Sequence, residues 1–475
     1  MNKKKIKKTK KNQNKDKKAK VKRLDALEQI NYNAAGVDIG DAEIVAAVPV
    51  GRDEVGIRTF STFTCDLYEI AKWFKECGIE TVAMESTGIY WINLYELLES
   101  EGFEVYLVDS RKTRNVSGRK SDVDDSEWVY QLHTYGLLPK CYRPQADIRK
   151  IRDVVRHRDS LIKSRVDHVN RMQKALQCMN IKLTNVISDI TGTTGMKIIR
   201  AILSGERDAH VLAEHRDPHC KRSYEDIVKS LEGHFQEEHL FSLKQELETY
   251  DYFTQKMKET DEFIKTLYNQ VESAVDIEEK PLKPAPPAKK KKSKNTPDYD
   301  LRTELYRIIG VDLTAIDGLN AVAVQTFISH TGVTFSAWPT NKHLVSWLSL
   351  CPNNDISGGK IIYSWMKRSK NAAAQALRVA AMSLANSKSA LGAYYRRMRA
   401  KHGPQTAVTA TAAKLARIIY DMVTKKEEYR DPGANYYEQR YKDRHLNKLK
   451  RRAASLGYKM VQVPNEKQKE KNIDQ

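Results

Sequence analysis

Long apolar runs, paired cysteines and zinc-ligand spacings are all missing from this chain of 475 residues. No apolar run approaches the roughly 20 residues that span a bilayer, so we expect no integral membrane protein. The six cysteines are scattered and form no Cys-x-x-Cys pair, which argues against a zinc finger and against a disulfide framework. No apolar segment follows the lysine-rich N-terminus, so we expect no secretory signal. These absences predict a reduced, cytoplasmic protein.

Positive charge is what the chain has in excess. Its 81 lysine and arginine residues outnumber its 61 aspartate and glutamate residues, which gives a formal net charge of +20. Such an excess predicts a polyanionic partner, either a nucleic acid or an acidic membrane surface. Basic residues also mark three segments: a disordered tail at 1–32, a proline- and lysine-rich linker at 278–300 that tethers two domains, and a basic tail at 431–475, an exposed helix with loose phosphate contacts.

The apolar pattern of residues 33–145 predicts an α/β domain. Three short apolar runs at its start predict antiparallel strands, the first of them over residues 34–39. Helical spacing then alternates with two further short apolar runs, at 81–84 and at 103–108. Three antiparallel strands followed by alternating helices and strands is the order expected of an RNase H fold of the RuvC-like kind.

Four acidic residues end or interrupt these apolar runs. Asp38 lies in the first predicted strand, and Glu85 closes the fourth. Asp122 and Asp125 stand three residues apart, so they share one face of a helix predicted over 122–135. Four carboxylates brought together repel one another unless a metal neutralises them. The four acids therefore predict a divalent-metal site that acts on phosphodiesters.

The chemistry of that site favours magnesium. Carboxylate oxygens are hard ligands and no His or Cys pattern accompanies them, so Mg²⁺ fits better than Zn²⁺, and Mn²⁺ would substitute. Two Mg²⁺ ions about 4 Å apart would stabilise the attacking and leaving oxygens of a phosphoryl transfer. Each acid alone also fits a structural role, in an Asx turn or at a helix N-terminus. Only the four together indicate a catalytic metal site.

The segments that carry these acids resemble a known family, the IS110 family of insertion-sequence transposases. The segments are Gly-Val-Asp-Ile-Gly at 36–40, Met-Glu-Ser-Thr-Gly-Ile-Tyr at 84–90 and Lys-Ser-Asp-Val-Asp-Asp-Ser at 120–126. The resemblance implies that the four acids form the RuvC-like DEDD tetrad of that family. Ser121 and Ser126 stand where the family usually has Thr and Ala, and both are small.

The pattern of residues 146–277 predicts a helical, coiled-coil-like domain. Apolar residues recur every seven positions in two stripes, one beginning at Ile148 and the other at Leu243. Two explanations stay open: the two long helices pack against each other, or they join two protomers. The basic residues that we predict to bind nucleic acid near here are Arg158 and Arg165, which interrupt the first stripe, and Arg119 and Lys120 ahead of the domain.

Residues 301–430 predict a mostly helical C-terminal domain. One of its segments, Leu350 to Lys360, ends in Ser-Gly-Gly-Lys and resembles the serine transposase domain of the same family. The resemblance implies that Ser357 is the catalytic nucleophile. A serine hydroxyl is a weak nucleophile until a base, a metal or a cation activates it. The residues that would add positive charge and bind nucleic acid here are Lys360, Lys367 and Arg368.

These features together predict a DNA transposase that cuts and rejoins DNA through a phosphoserine intermediate. The resemblance further implies a guide RNA, called a bridge RNA. Because the serine domain is distant from the four acids and follows a flexible tether, we expect a dimer or tetramer to complete the site. Such a protein would be associated with the nucleoid. Two other classes stay open. One is a metal-dependent nuclease or junction resolvase that uses the tetrad without Ser357, and the other is a non-catalytic protein that only binds nucleic acid.

Overall fold

The computed structural model describes residues 27–86, 88–110, 113, 124–284 and 293–461. The chain divides into two compact units, Met1–Tyr142 and Arg143–Gln475. Some predicted features lie outside the described residues, namely most of the N-terminal tail, Arg119, Lys120, Asp122, and the middle of the linker. None of the described helices is both long enough and apolar enough to cross a membrane.

A five-stranded mixed sheet forms the centre of the first unit. Its strands are β1 (Ala34–Ile39), β2 (Glu43–Ala47), β3 (Ile57–Ser61), β4 (Thr81–Glu85) and β5 (Glu104–Val108). Their order in space is β3-β2-β1-β4-β5, antiparallel from β3 to β1 and parallel from β1 to β5. The central strand β1 is almost wholly buried, which explains its run of small and apolar residues. The predicted RNase H-like α/β fold is confirmed.

Among the described residues of this unit, three helices pack against the sheet. They are α1 (Thr64–Glu76), α2 (Trp91–Ser100) and α3 (Asp124–Thr134). Helix α1 buries one apolar face because Leu67, Ile70 and Phe74 recur at helical spacing. Helix α3 approaches β1 so closely that a Cβ atom at Gly36 would overlap the backbone of Tyr130. Glycine at this position therefore permits the contact between α3 and the centre of the sheet.

The first part of the second unit is a long antiparallel helix pair with a group of short helices. Its helices are α4 (Ala146–Cys178), α5 (Leu183–Val186), α6 (Thr193–Leu203), α7 (Ala209–Ala213), α8 (Tyr224–Leu231) and α9 (Glu237–Asn269). Arg158 of α4 contacts Asp261 of α9, and His168 contacts Glu246, so α4 and α9 run in opposite directions. The heptad stripes thus pack two helices of one chain together, which is the first of the two explanations.

The second part of this unit is mostly helical, as predicted. Its elements are α10 (Leu301–Ile309), α11 (Ala321–Thr331), α12 (Asn341–Trp347), the hairpin strands β6 (Pro352–Ser357) and β7 (Lys360–Met366), α13 (Ala372–Ser383), α14 (Ala390–His402), α15 (Pro404–Lys425) and α16 (Gly433–Ser455). Helices α11, α13 and α15 pack together, and alanines on α13 and α15 allow a close approach. Helix α16, in the predicted basic tail, has no buried residue.

The described end of the predicted linker lies against the helix pair instead of forming a free tether. The side-chain oxygen of Asn295 accepts a hydrogen bond of 2.6 Å from Arg165, and its backbone carbonyl accepts one of 3.0 Å from Arg158. Pro297 is buried nearby. Composition alone predicted an extended segment here, because the prolines and lysines gave no sign of the two arginines that hold residues 293–300.

Candidate active site

Asp38 and Glu85 occupy equivalent positions on two neighbouring parallel strands. Val37 of β1 stands opposite Met84 of β4, so the next residue along each strand is one of the two acids. Residues that stand opposite each other in adjacent strands point to the same face of the sheet, and such strands lie about 4.8 Å apart. Both acids are half-buried. The sheet therefore places two carboxylates side by side where β4 ends.

The helix that carries Asp125 covers the same face of the sheet. Gly36 and Asp38 are two residues apart in β1, so they share a face. That face is covered by α3, because the carbonyl of Ser126 and the backbone of Tyr130 come closest to Gly36. Asp125 precedes Ser126 in the first turn of α3. The fold thus carries the third described acid to the face onto which Asp38 projects.

A buried threonine binds one of the two strand carboxylates. The hydroxyl of Thr113 donates a hydrogen bond to Oε1 of Glu85, and it also lies 2.9 Å from the carbonyl of Ser110. The backbone carbonyl of Thr113 accepts a bond of 3.4 Å from the indole N–H of Trp128 on α3. These contacts fix the orientation of Glu85 relative to α3. Sequence patterns did not indicate Thr113, because a lone threonine after the last strand of the sheet carries no chemical signature.

His133 anchors the other end of α3 to the sheet. Its Nε2 lies 2.9 Å from the hydroxyl of Thr81 at the start of β4, and the imidazole is buried. Burial lowers the pKa of His133 from its usual 6.5 to about 4, because the low-polarity surroundings disfavour the charged ring. The neutral histidine therefore helps to hold α3 against the strand that ends in Glu85.

Ser357 lies at the tip of the exposed β6–β7 hairpin. Gly358 and Gly359 form its two-residue turn with φ angles of +54° and +74°, a left-handed conformation that glycine adopts without strain. Ser357 stands directly opposite Lys360, so their side chains share a face with Cβ atoms about 5 Å apart. Every residue of both strands is exposed. The serine is therefore open to a large ligand.

The arginines predicted to bind nucleic acid in the helix pair are buried. Arg158 is 3% exposed and forms an ion pair with Asp261, while Arg165 is 6% exposed and contacts Asn295. The guanidinium of Arg165 also lies 5.6 Å from the ring centre of Tyr250. A phosphate would have to displace these partners to reach either arginine. The burial of both arginines argues against the predicted role. Arg158 is paired with Asp261, an acid 103 residues further along the chain.

Two transposase family models match the chain. One, a DEDD transposase domain, covers residues 35–181, and the other, described as the transposase IS116/IS110/IS902 family, covers residues 312–396. The chain belongs to the IS110 family of transposases. A comparison with curated proteins gives no match. An IS110 transposase is an enzyme that cleaves and transfers DNA, and DNA is therefore a partner of this chain.

The two matches contain every site residue that the sequence predicts for this IS110 transposase. The first spans the four acids and the basic residues Arg119, Lys120, Arg158 and Arg165. The second spans Ser357 and the three basic residues that follow it, Lys360, Lys367 and Arg368, all of which are exposed. Helices α15 and α16 lie wholly beyond the second match.

A DEDD transposase domain depends on divalent metal, and the described donors of this IS110 transposase suit a hard cation. Asp38 and Glu85 offer carboxylate oxygens on adjacent strands, which are the ligands that Mg²⁺ and Mn²⁺ prefer. In the ranges that the structure describes, which omit Asp122, no group of three His, Cys, Asp or Glu side chains could hold a metal ion. The donor chemistry fits a hard cation, and among the described acids Asp38 and Glu85 form a pair that Asp125 does not extend to a group of three.

Proposed function

We propose that this transposase cuts and rejoins DNA through a covalent phosphoserine link at Ser357, and that a divalent-metal centre serves the same reaction. The exposure of Ser357 at a hairpin tip, directly opposite Lys360, carries the proposal. A nucleophile that attacks duplex DNA must project from the protein surface, because the phosphodiester it meets is part of a rigid polymer. The two-glycine turn also removes side chains that would keep the DNA backbone away.

The proposed step moves one phosphoryl group twice. The Ser357 oxygen forms a bond to phosphorus as the bond between that phosphorus and one deoxyribose oxygen breaks, and the serine proton passes to solvent while the leaving oxygen gains one. A hydroxyl at another DNA end then attacks the phosphoserine and releases the serine. The number of phosphoester bonds stays constant, so rejoining needs no nucleotide cofactor. Lys360 offsets the negative charge on the phosphate during both attacks.

The metal centre in this proposal uses the four acids of the first unit. Asp38, Glu85, Asp122 and Asp125 would hold Mg²⁺, in a two-ion arrangement for which Mn²⁺ can substitute. When bound, the cations neutralise charge on the phosphate oxygens. The chain's own contribution is placement: β1 and β4 set two carboxylates side by side, and Thr113 fixes one of them.

The proposal includes two further partners. A guide RNA of the bridge type would select the DNA by base pairing, and a dimer or tetramer of this chain would complete the reaction centre. The net charge of +20 supports a complex with two nucleic acids, since each carries one negative charge per nucleotide.

A covalent-adduct trap tests the serine chemistry. The chain is expressed with its flanking DNA, the cells are denatured, and DNA that stays attached to the protein is measured for the wild type, Ser357→Ala and Ser364→Ala. Ser364 lies on the same exposed hairpin, so its variant controls for general damage to β6 and β7. We expect the adduct to disappear only in Ser357→Ala. An adduct that persists in Ser357→Ala would refute the proposed nucleophile.

A plain metal nuclease is the second candidate, favoured by the fact that the placement of Asp38 and Glu85 does not involve Ser357. Asp38→Asn would then abolish strand cleavage while Ser357→Ala left nicking intact. Asp41→Asn is the matched control, because Asp41 is an exposed acid in the turn directly after β1. Metal-dependent nicking without any protein–DNA adduct in the wild type would support this candidate over the transposase chemistry proposed above.

A further inference from the structure

A half-buried lysine lies between two tyrosine rings in the last three helices that the structure describes. The Nζ atom of Lys414, on α15, is 4.5 Å from the ring centre of Tyr394 and 5.2 Å from that of Tyr437. The two rings are nearly perpendicular, with centres 6.1 Å apart. Lys414 forms no hydrogen bond or ion pair with any residue in the described ranges. Burial and the nearby charge of Arg444 lower the pKa of Lys414.

The first turns of α16 close a cavity over this lysine. The cavity has a volume of about 230 Å³. Its polar and aromatic lining comes chiefly from Lys414, Tyr436, Tyr437, Arg440, Tyr441 and Arg444. Three of these six side chains, Lys414, Arg440 and Arg444, are cations, and none of the six is a carboxylate. Tyr429 also lines the cavity. Burial and the negative charges of Asp431 and Asp317 raise the pKa of its hydroxyl.

The tyrosine rings of the cavity differ in whether a cation already contacts them. Arg397 lies over the ring of Tyr441 and 6.0 Å from the ring centre of Tyr437, so these two rings already face a cation. Tyr436 is 54% exposed and lines the cavity without a ring or cation partner among the described residues. Its ring face is therefore open to a flat ligand.

A stripe of positive charge continues from the cavity along α16. Arg440, Arg444, Lys448 and Arg451 follow one another at intervals of four, four and three residues, so they lie on one face of the helix. At 1.5 Å per residue this stripe is about 17 Å long. The helix buries none of its residues, so the stripe is open to solvent. Such a row of charges suits a polyanion that lies along the helix.

We propose that this cavity binds one nucleotide of a single-stranded nucleic acid, with its base against Tyr436 and its phosphate beside Arg440 and Arg444. Base stacking on aromatic rings combined with a basic track is the usual chemistry of single-strand binding. The exposed ring of Tyr436 favours a single strand over a duplex, because the bases of a duplex are already stacked on one another. The inference rests on the proposed function only in that a nucleic acid is the substrate, and it adds a site beyond residue 396, where the second family match ends.

Photo-crosslinking of the full-length protein tests the site. A single-stranded oligonucleotide with 5-iodouracil is offered as DNA and as RNA of the same sequence, and the cross-linked peptide is identified by mass spectrometry. We expect a cross-link to the peptide that contains Tyr436, and a loss of affinity of about five-fold or more in Tyr436→Ala. Tyr458→Ala is the matched control, because Tyr458 is an exposed tyrosine beyond the end of α16. The polymer that binds more tightly identifies the source of the strand.

A second pair of variants separates the cavity from the charge of the helix. Arg440→Gln with Arg444→Gln should abolish the cross-link, whereas Lys448→Gln with Arg451→Gln removes the same charge and should only weaken binding. The proposal would be overturned if the two double variants cross-linked equally. It would also be overturned if Tyr436→Ala bound as tightly as the wild type, or if duplex DNA competed as effectively as a single strand. The adduct assay is run on the same proteins. If the wild type forms the cross-link but no covalent DNA adduct, only the proposed function is contradicted. If it forms the adduct but no cross-link at Tyr436, only this inference is contradicted.

Discussion

Thr113 and Glu85 set the geometry of the acidic site through a single hydrogen bond. The hydroxyl donor holds Oε1 of Glu85, and Trp128 holds the carbonyl of the same threonine. A carboxylate that is fixed by a buried donor keeps its ligand orientation when a cation approaches. Strand β4 sets the position of Glu85, and the orientation of its carboxylate depends on Thr113.

Replacing this donor should impair DNA cleavage more than folding. In Thr113→Val we expect cleavage to fall about ten-fold or more and to require a higher metal concentration, because Glu85 loses its fixed orientation. The free energy of unfolding should fall by only about 1–2 kcal/mol. Cleavage rates measured across a magnesium titration check this, with Thr113→Ser as the control that keeps the hydroxyl. A valine variant with the metal dependence of the wild type would contradict the assigned role.

Helix α3 is the element on which the candidate site depends. Its N-terminal turn carries Asp125, its middle lies against Gly36, and its last turn is anchored by His133. The anchor works only with a neutral imidazole, since protonation would leave a charge buried beside β4. The attachment of α3 is therefore sensitive to acid.

We expect acid to destabilise the protein through His133. Its pKa is lower in the folded state, about 4, than the usual 6.5, so the unfolded chain binds the proton first and stability falls as the pH drops from about 6.5 to 4. The full shift corresponds to roughly 3 kcal/mol. Chemical unfolding at several pH values should show a shallower fall in His133→Gln. His219→Gln is the control because this histidine is 92% exposed, and it should follow the wild type. An unchanged slope in His133→Gln would rule out this anchor as the cause.

In the second unit as a whole, one buried ion pair joins the helix pair to the segment that follows it. Arg158 binds both carboxylate oxygens of Asp261 and the carbonyl of Asn295. The side chains of both partners are 4% exposed. A buried charge that loses its partner is costly, whereas replacing both charges by apolar groups can be nearly neutral.

The single replacement should therefore cost much more stability than the double replacement. Asp261→Leu alone should lower the free energy of unfolding by about 3–5 kcal/mol, and adding Arg158→Met should restore most of it. Denaturant unfolding of the two variants measures the difference. Asp251→Leu is the control, since it breaks an exposed pair with Arg200 and should cost about 1 kcal/mol or less. A double variant as unstable as Asp261→Leu would show that the arginine does not depend on this partner.

Local patterns predicted the framework of the molecule, and long-range contacts decided the rest. The apolar runs around Asp38 and Glu85 located the strands along the chain, because a buried strand must be apolar whichever strand it pairs with. The heptad stripes predicted two long helices that pack together. They could not decide whether the two helices belong to one chain or to two protomers. Sequence could not predict the burial of Arg158 or the donor Thr113, because their partners are distant in the chain.

The hairpin that carries Ser357 has no core of its own. Both strands are exposed along their whole length, and apolar side chains such as Ile362 and Trp365 face solvent. A two-stranded ribbon of this kind has little stability by itself. The free energy that would hold the proposed nucleophile rigid must then come from whatever covers the hairpin. A copy that has not assembled on its DNA would cleave DNA slowly, and unintended breaks in the host chromosome would be correspondingly rare.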